Sequence, residues 1–154
     1  MKIIAQNKKA FHNYFILDNV EAGLELLGWE VKSARAGNVS LLESFVYFSA
    51  DNNGNIQGHL KNSHFSTYEY GVVKNQEVRR DRRLLLTRHQ IDKFHKAVAT
   101  KGVTCVVTKL YFTKRGLLKA DVALAKGKHT FDKKQVLKER DLQREAERQL
   151  RSDK

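Results

Sequence analysis

Apolar and polar positions alternate with a period of two along most of this chain, and one stretch keeps a clear helical period. Val20, Ala22, Leu24 and Leu26 fall on one face, and Glu21, Gly23 and Glu25 on the other, which predicts a strand with one buried side. Tyr14 to Leu17 reads as a separate strand before it, parted by Asp18-Asn19. The first dozen residues are a basic, polar lead-in around a short apolar patch. Glu30 to Ala36 suits a short helix closed by Gly37-Asn38. Leu41 to Ser49 and Asn55 to Leu60 flank Asp51-Asn52-Asn53-Gly54, a turn composition that predicts a hairpin. Ser63 to Tyr70 is read as a further short strand and Gly71 to Arg83 as an exposed loop.

The helical stretch begins at Thr87-Arg88-His89-Gln90, a capping box in which threonine and glutamine satisfy each other's backbone N–H groups. Ile91, Phe94 and Val98 share its apolar face, and Gly102 is placed to end it. Val103 to Thr113 and Leu117 to Ala125 are long strands around Lys114-Arg115-Gly116, with Leu118, Ala120, Val122 and Leu124 on one face. Six or seven antiparallel strands without a βαβ rhythm or internal repeats suit a small closed barrel, which removes exposed sheet edges. The expected class is all-β to α+β: an oligonucleotide-binding (OB-like) barrel of six to eight strands with two or three short helices. An open sandwich is the alternative.

Beyond Ala125 the pattern changes. From Lys126 to Lys154 there are ten Lys/Arg against six Asp/Glu, and the leucines are Leu137, Leu142 and Leu150. So little apolar surface does not offset the entropy of ordering the segment alone. The expected organisation is a barrel over 1–125 and a basic tail over 126–154, disordered when free. A length of 154 residues accommodates one domain and such an appendage.

The net charge of +12 with a pI near 9.9 draws in polyanions, whose counterions are released on binding. Anionic membrane fits less well than nucleic acid, because no apolar run approaches the roughly 20 residues that span a bilayer and the tail lacks a wide apolar face. Neither a signal-like N-terminus nor a disulfide-capable pair of cysteines is present, so a reducing cytoplasm is expected. Cys105, in a β-branched run, reads as a small buried hydrophobe.

No group stands out as a reaction centre. His12, His59, His64, His89, His95 and His129 are scattered without zinc-ligand spacing, phosphate-loop and nucleophile-elbow motifs are missing, and most carboxylates neighbour basic residues as solvated pairs would. Neither catalytic residues, metal nor cofactor are expected.

The basic groups are more telling. Asn7-Lys8-Lys9 precedes the first expected strand, Arg79-Arg80-Asp81-Arg82-Arg83 precedes Leu84-Leu85-Leu86, and Lys126 and Lys128 follow the last strand. A charge run alone is usually a solvated face, but three at strand ends of a barrel lie where OB-like folds grip nucleic acid. Trp29, Phe131, Tyr68 and Tyr70 could stack on bases, each worth ~1–3 kcal/mol, although Trp29 also suits the core. Glu21 could pair with Lys32 or Lys8, or could accept a hydrogen bond from a base amino group.

These motifs coincide with one family. Asn7-Lys8-Lys9-Ala10, His12-Asn13-Tyr14-Phe15-Ile16, Glu21-Ala22-Gly23-Leu24, Gly28-Trp29-Glu30-Val31-Lys32-Ser33 with Arg35-Ala36-Gly37, Arg83-Leu84-Leu85-Leu86, and Ala125-Lys126-Gly127-Lys128 through Asp132-Lys133-Lys134 to Lys138-Glu139-Arg140 resemble the bacterial SsrA-binding (SmpB) family, collinearly from Asn7 to Asp141. The resemblance implies an RNA-binding protein without catalytic residues or cofactor. It would bind the tRNA-like domain of transfer-messenger RNA (tmRNA, SsrA RNA), support its alanylation by alanyl-tRNA synthetase and delivery by elongation factor Tu, and enter ribosomes stalled on truncated messages for trans-translation. By position, the resemblance implies that Asn7, Lys8, Lys9, Glu21, Lys32, Arg35 and Lys126 meet the tRNA-like domain. It implies that Lys128, Phe131, Asp132, Lys133, Lys134, Lys138 and Arg140 belong to a tail in the decoding centre and empty message channel, and that the protein is a cytoplasmic monomer. Phe131 occupies a position where members carry an aromatic or histidine thought to stack on decoding-centre RNA.

The tail's logic is physical. A message in the channel excludes the arm by volume and charge, so its binding reports vacancy. Leu142, Ala146 and Leu150 recur every four residues, too narrow a stripe for a free helix, so a helix formed on the ribosome is expected. The rivals are a ribosomal or general single-stranded-RNA-binding OB protein, an RNA-modifying enzyme and a basic chaperone-like protein.

Overall fold

A computed structural model describes residues 1–68 and 76–128. Among these residues the chain forms β1 (Lys2–Gln6), α1 (Lys8–Asn13), β2 (Tyr14–Leu24), α2 (Gly28–Arg35), β3 (Val39–Ser40), β4 (Phe45–Ala50) and β5 (Ile56–Lys61). It continues through β6 (His64–Phe65), β7 (Arg82–Leu85), α3 (Arg88–Val98), β8 (Val103–Phe112) and β9 (Leu118–Gly127). Seven strands make one antiparallel sheet in the order β1-β8-β9-β2-β7-β5-β4, and β3 pairs with β6 separately. This is the expected OB-like class. Its closure differs from expectation, since β1 and β4 remain the two edges; β4 curls back towards β8 without pairing to it. No described helix is long and apolar enough to cross a membrane.

The inner face reads as the alternation predicts. Ala22 and Leu24 of β2, Leu84 of β7, and Ala120, Val122 and Leu124 of β9 are buried in one core with Leu60, Leu110, Ile91 and Phe94. Phe94 is fully buried, and its truncation to alanine would cost ~3–5 kcal/mol. Thr87 accepts from the Gln90 N–H at 3.2 Å while the Gln90 side chain accepts from the Thr87 N–H at 3.0 Å, closing the capping box that starts α3. That helix ends at Val98; Gly102, with φ of +84°, instead turns the chain into β8. In the β4–β5 hairpin, Asp51 Oδ1 accepts from the N–H groups of Asn53 and Asn55, both at 2.9 Å.

The structure departs from the sequence pattern at several points. Tyr14–Leu24 is one strand, and Asp18-Asn19 is no break: a bulge between Ile16 and Asp18 absorbs the shift in alternation. The lead-in forms both β1 and α1. Leu41 to Ser44 is a turn, with β4 starting at Phe45. The expected loop from Gly71 ends in β7, whose Arg82 is fully buried. The last strand also reaches Gly127, past the expected end at Ala125. Residues 69–75, and with them Tyr70, lie outside the described residues, as does the chain from His129 onward.

Candidate RNA-binding surface

The basic run Arg79–Arg83 is split: Arg79 and Arg83 are exposed, whereas Arg82 is fully buried. Period-two alternation turns Arg82 inward with Leu84, and Arg83 and Leu85 outward. Arg82 Nε donates to Glu30 Oε2 at 2.5 Å, Nη1 to the Ser63 carbonyl at 3.1 Å and the Arg80 carbonyl at 2.9 Å, and Nη2 to the Val78 carbonyl at 3.2 Å. Its guanidinium also lies 4.0 Å from the Phe65 ring centroid. Arg80 Nη2 donates to Glu30 Oε1 at 2.6 Å, and the same oxygen accepts from the Leu27 N–H at 2.7 Å. Burial pulls the Arg82 guanidinium below its usual value, and the Glu30 carboxylate opposes that shift. Glu30 is fully buried and ties α2 to β7. Arg83 pairs on the surface with Glu25 at 3.0 Å.

The α1 end of the sheet is the more open cationic region. Asn7 Oδ1 accepts from the Ala10 N–H at 3.1 Å as the α1 N-cap, and the Asn7 N–H donates to the Thr108 carbonyl at 2.7 Å. Asn7 is therefore buried, at 5% exposure, and sets the helix rather than presenting itself, while Lys8 and Lys9 are exposed. Ala10 packs α1 on Val106, Ala123 and Ala125. Next to it, the Lys128 N–H donates to the Asn13 carbonyl at 2.5 Å, joining α1 to the end of β9. Lys126 is exposed opposite Phe15, and Lys128 Nζ lies 4.4 Å from the Phe15 ring centroid.

Alternation separates the remaining site residues. Lys126 continues the face of Val122 and Leu124, whereas Glu21 pairs in register with Asp121 on the opposite face. Glu21 is exposed, and among the described residues its partner is the Tyr111 hydroxyl, not Lys32 or Lys8. Lys32 and Arg35 are exposed on α2, with Lys32 Nζ 5.5 Å from the Tyr68 ring and the Arg35 guanidinium 5.9 Å from the Phe112 ring. Phe112 pairs with Leu118 and Val103 with Lys126, so Arg35 and Lys126 mark opposite ends of β8. Those ends are about 30 Å apart at roughly 3.3 Å per residue. Trp29, at 5% exposure, belongs to the core. Phe131, Asp132, Lys133, Lys134, Lys138 and Arg140 lie outside the described residues.

Two open grooves flank these groups: one of about 390 Å³ beside α1, lined by Lys9, Tyr14 and Phe45, and one of about 330 Å³ beside Gly23, lined by Leu26, Leu85 and Leu117. Both are shallow, and the exposed cations extend from one end of the sheet to the other. A curled antiparallel sheet with exposed lysines on its flanking helix and strand end has the architecture of a basic OB-like nucleic-acid-binding domain.

Within that class, the family model described as SmpB protein matches residues 4–152, and the chain belongs to that family. It is 50% identical over 151 residues to the SsrA-binding protein of Caldanaerobacter subterraneus subsp. tengcongensis, covering 98% of this chain and 92% of the relative. The SsrA-binding protein of Halalkalibacterium halodurans is 47% identical over 150 residues, covering 97% and 94%. A solved chain described as "tmRNA-SmpB: a journey to the center of the bacterial ribosome" superposes with a TM-score of 0.66 at 39% identity, covering 84% of this chain and 87% of the other.

Proposed function

We propose that this protein binds the tRNA-like domain of tmRNA and carries it to stalled ribosomes for trans-translation. The observation that carries the reading is its membership of the SmpB family across 4–152, including the basic segment beyond β9. The body, approximately 1–125 with the end of β9, grips folded RNA through Lys8, Lys9, Glu21, Lys32, Arg35 and Lys126, with Asn7 setting α1. These groups are spread along the domain, a spacing suited to an extended RNA surface rather than to one nucleotide. Lys128, Phe131, Asp132, Lys133, Lys134, Lys138 and Arg140 begin the tail that enters the decoding centre and vacant message channel. Alanyl-tRNA synthetase and elongation factor Tu act on the same RNA while this protein is bound, in the cytoplasm, and the protein itself supplies no catalytic group.

Sequencing the RNA that co-purifies from a bacterial lysate tests the reading. Enrichment of tmRNA supports it; enrichment of unstructured RNA without tmRNA replaces it with general single-strand binding. Truncation after Asp132 is expected to leave tmRNA affinity nearly whole and abolish peptide tagging. Normal tagging by the truncated protein removes the tail from the mechanism.

A further inference from the structure

Tyr111 is a phenol on β8, within reach of Glu21 on β2. It is only 7% exposed, yet its hydroxyl donates to Oε2 of the exposed Glu21. Tyr111 lies on β8 opposite Lys119 of β9, and Glu21 lies on β2 opposite Asp121 of β9, so this bond reaches across β9. Asp121 is held in a similar way, by Asn19 Nδ2 at 2.9 Å and Thr108 Oγ1 at 2.5 Å. Both acids on this face are thus bound by neutral donors. Lys109 is nearby, but its Nζ faces the Tyr111 ring, 5.7 Å from the centroid.

The choice of partner has a consequence. A lysine or arginine partner would orient Glu21 but cancel its charge. A phenol orients it and leaves the charge in place. Among the described residues Oε1 of Glu21 has no partner, so it can accept from a ligand. Burial, the bond to Glu21 and the fields of Glu21 and Asp121 all push the Tyr111 phenol above its ordinary range, so it stays protonated and donating at neutral pH.

We propose that Tyr111 is a positioning residue for RNA recognition: it fixes the Glu21 carboxylate so that Oε1 meets the exocyclic amino group of an exposed base. This rests on Glu21 lying at the RNA interface. Preorganisation removes the rotamer entropy that a free surface glutamate would lose on binding. Cytosine, adenine and guanine carry such an amino group, and uracil does not.

The test is a double-mutant cycle in the full-length protein, with binding to tmRNA transcript measured at fixed salt. Tyr111→Phe keeps the ring and removes the donor, and is expected to weaken binding about three- to tenfold. Glu21→Gln is expected to weaken it more, and the double variant no further than Glu21→Gln alone. In parallel, Glu21→Gln should bring the Tyr111 phenol titration down towards its ordinary range, a shift that packing alone does not produce. Unchanged binding by Glu21→Gln overturns the interface assignment and the proposal with it. Weakened binding by Glu21→Gln with full affinity in Tyr111→Phe, or with losses that multiply in the double variant, overturns the positioning role alone. Should Tyr111→Phe fail to fold, the titration in Glu21→Gln decides, and an unmoved phenol overturns the proposal.

Discussion

Glu30 and Glu21 sit nine residues apart in the chain and put the same carboxylate to opposite uses. Glu30 is fully buried, and two arginines and the Leu27 N–H satisfy it. Glu21 is exposed, with one neutral donor on one oxygen. The cations divide in the same way. The bonds that Arg82 makes to Glu30, Ser63, Arg80 and Val78 occupy its guanidinium, which has nothing left to offer a phosphate. Lys126 is exposed at a strand end. Charge content alone therefore does not identify an RNA-binding group in this fold; burial decides which charges hold the fold and which stay open to solvent.

Breaking the buried side should give the largest effect. Arg82→Met strands the Glu30 carboxylate in the interior and is expected to cost about 3–5 kcal/mol by chemical denaturation, the usual penalty for removing one member of a buried pair. A loss below about 1 kcal/mol would show that Arg80 alone satisfies Glu30. The exposed side should respond in the reverse sense. Lys126→Ala should lower tmRNA affinity several-fold and reduce the slope of log K against log salt by about one, with the unfolding midpoint unchanged. A destabilised Lys126→Ala protein would erase the distinction between the two regions.

Smaller effects sharpen the contrast. Burial pushes the Cys105 thiol from an ordinary value near 9 up to about 12. The folded state favours the thiol, so this contribution is intact below pH 9 and is lost as pH rises towards 12, where the unfolded chain ionises first. The denaturation midpoint should fall between about pH 9 and about pH 12, and Cys105→Ala should remove that part of the fall. The smallest effect is expected for Gly23→Ala. Its new Cβ would come within 3.2 Å of Leu85 Cδ1, a flexible exposed side chain that can move aside, so the cost should stay below ~1 kcal/mol.

Local patterning carried far in this chain because most of its strands bury one face and expose the other. Alternation located the second half of β2 and the inner face of β9, and a side-chain hydroxyl with its reciprocal glutamine located the start of α3. Alternation also held the signal that was overlooked at β7, where Arg82 and Leu84 share a face. Five residues of which four are arginine looked like a solvated loop, and the acid that neutralises Arg82 lies 52 residues away on α2. β1 and α1 were missed for a related reason: five residues pair with a strand more than 100 positions distant, and a six-residue helix is held by Ala10 against three side chains of β8 and β9.

The composition and periodicity of the chain were enough to establish a basic, antiparallel, OB-like domain, because net charge and strand alternation are local properties that hold before any long-range contact forms. Four matters depended on chain folding: the merging of Tyr14–Leu24 into one bulged strand, the open edges at β1 and β4, the burial of Glu30 with Arg82, and the clasp of Tyr111 on Glu21. Each joins groups far apart in sequence, and a buried charge or an oriented carboxylate has meaning only once its distant partner is in place.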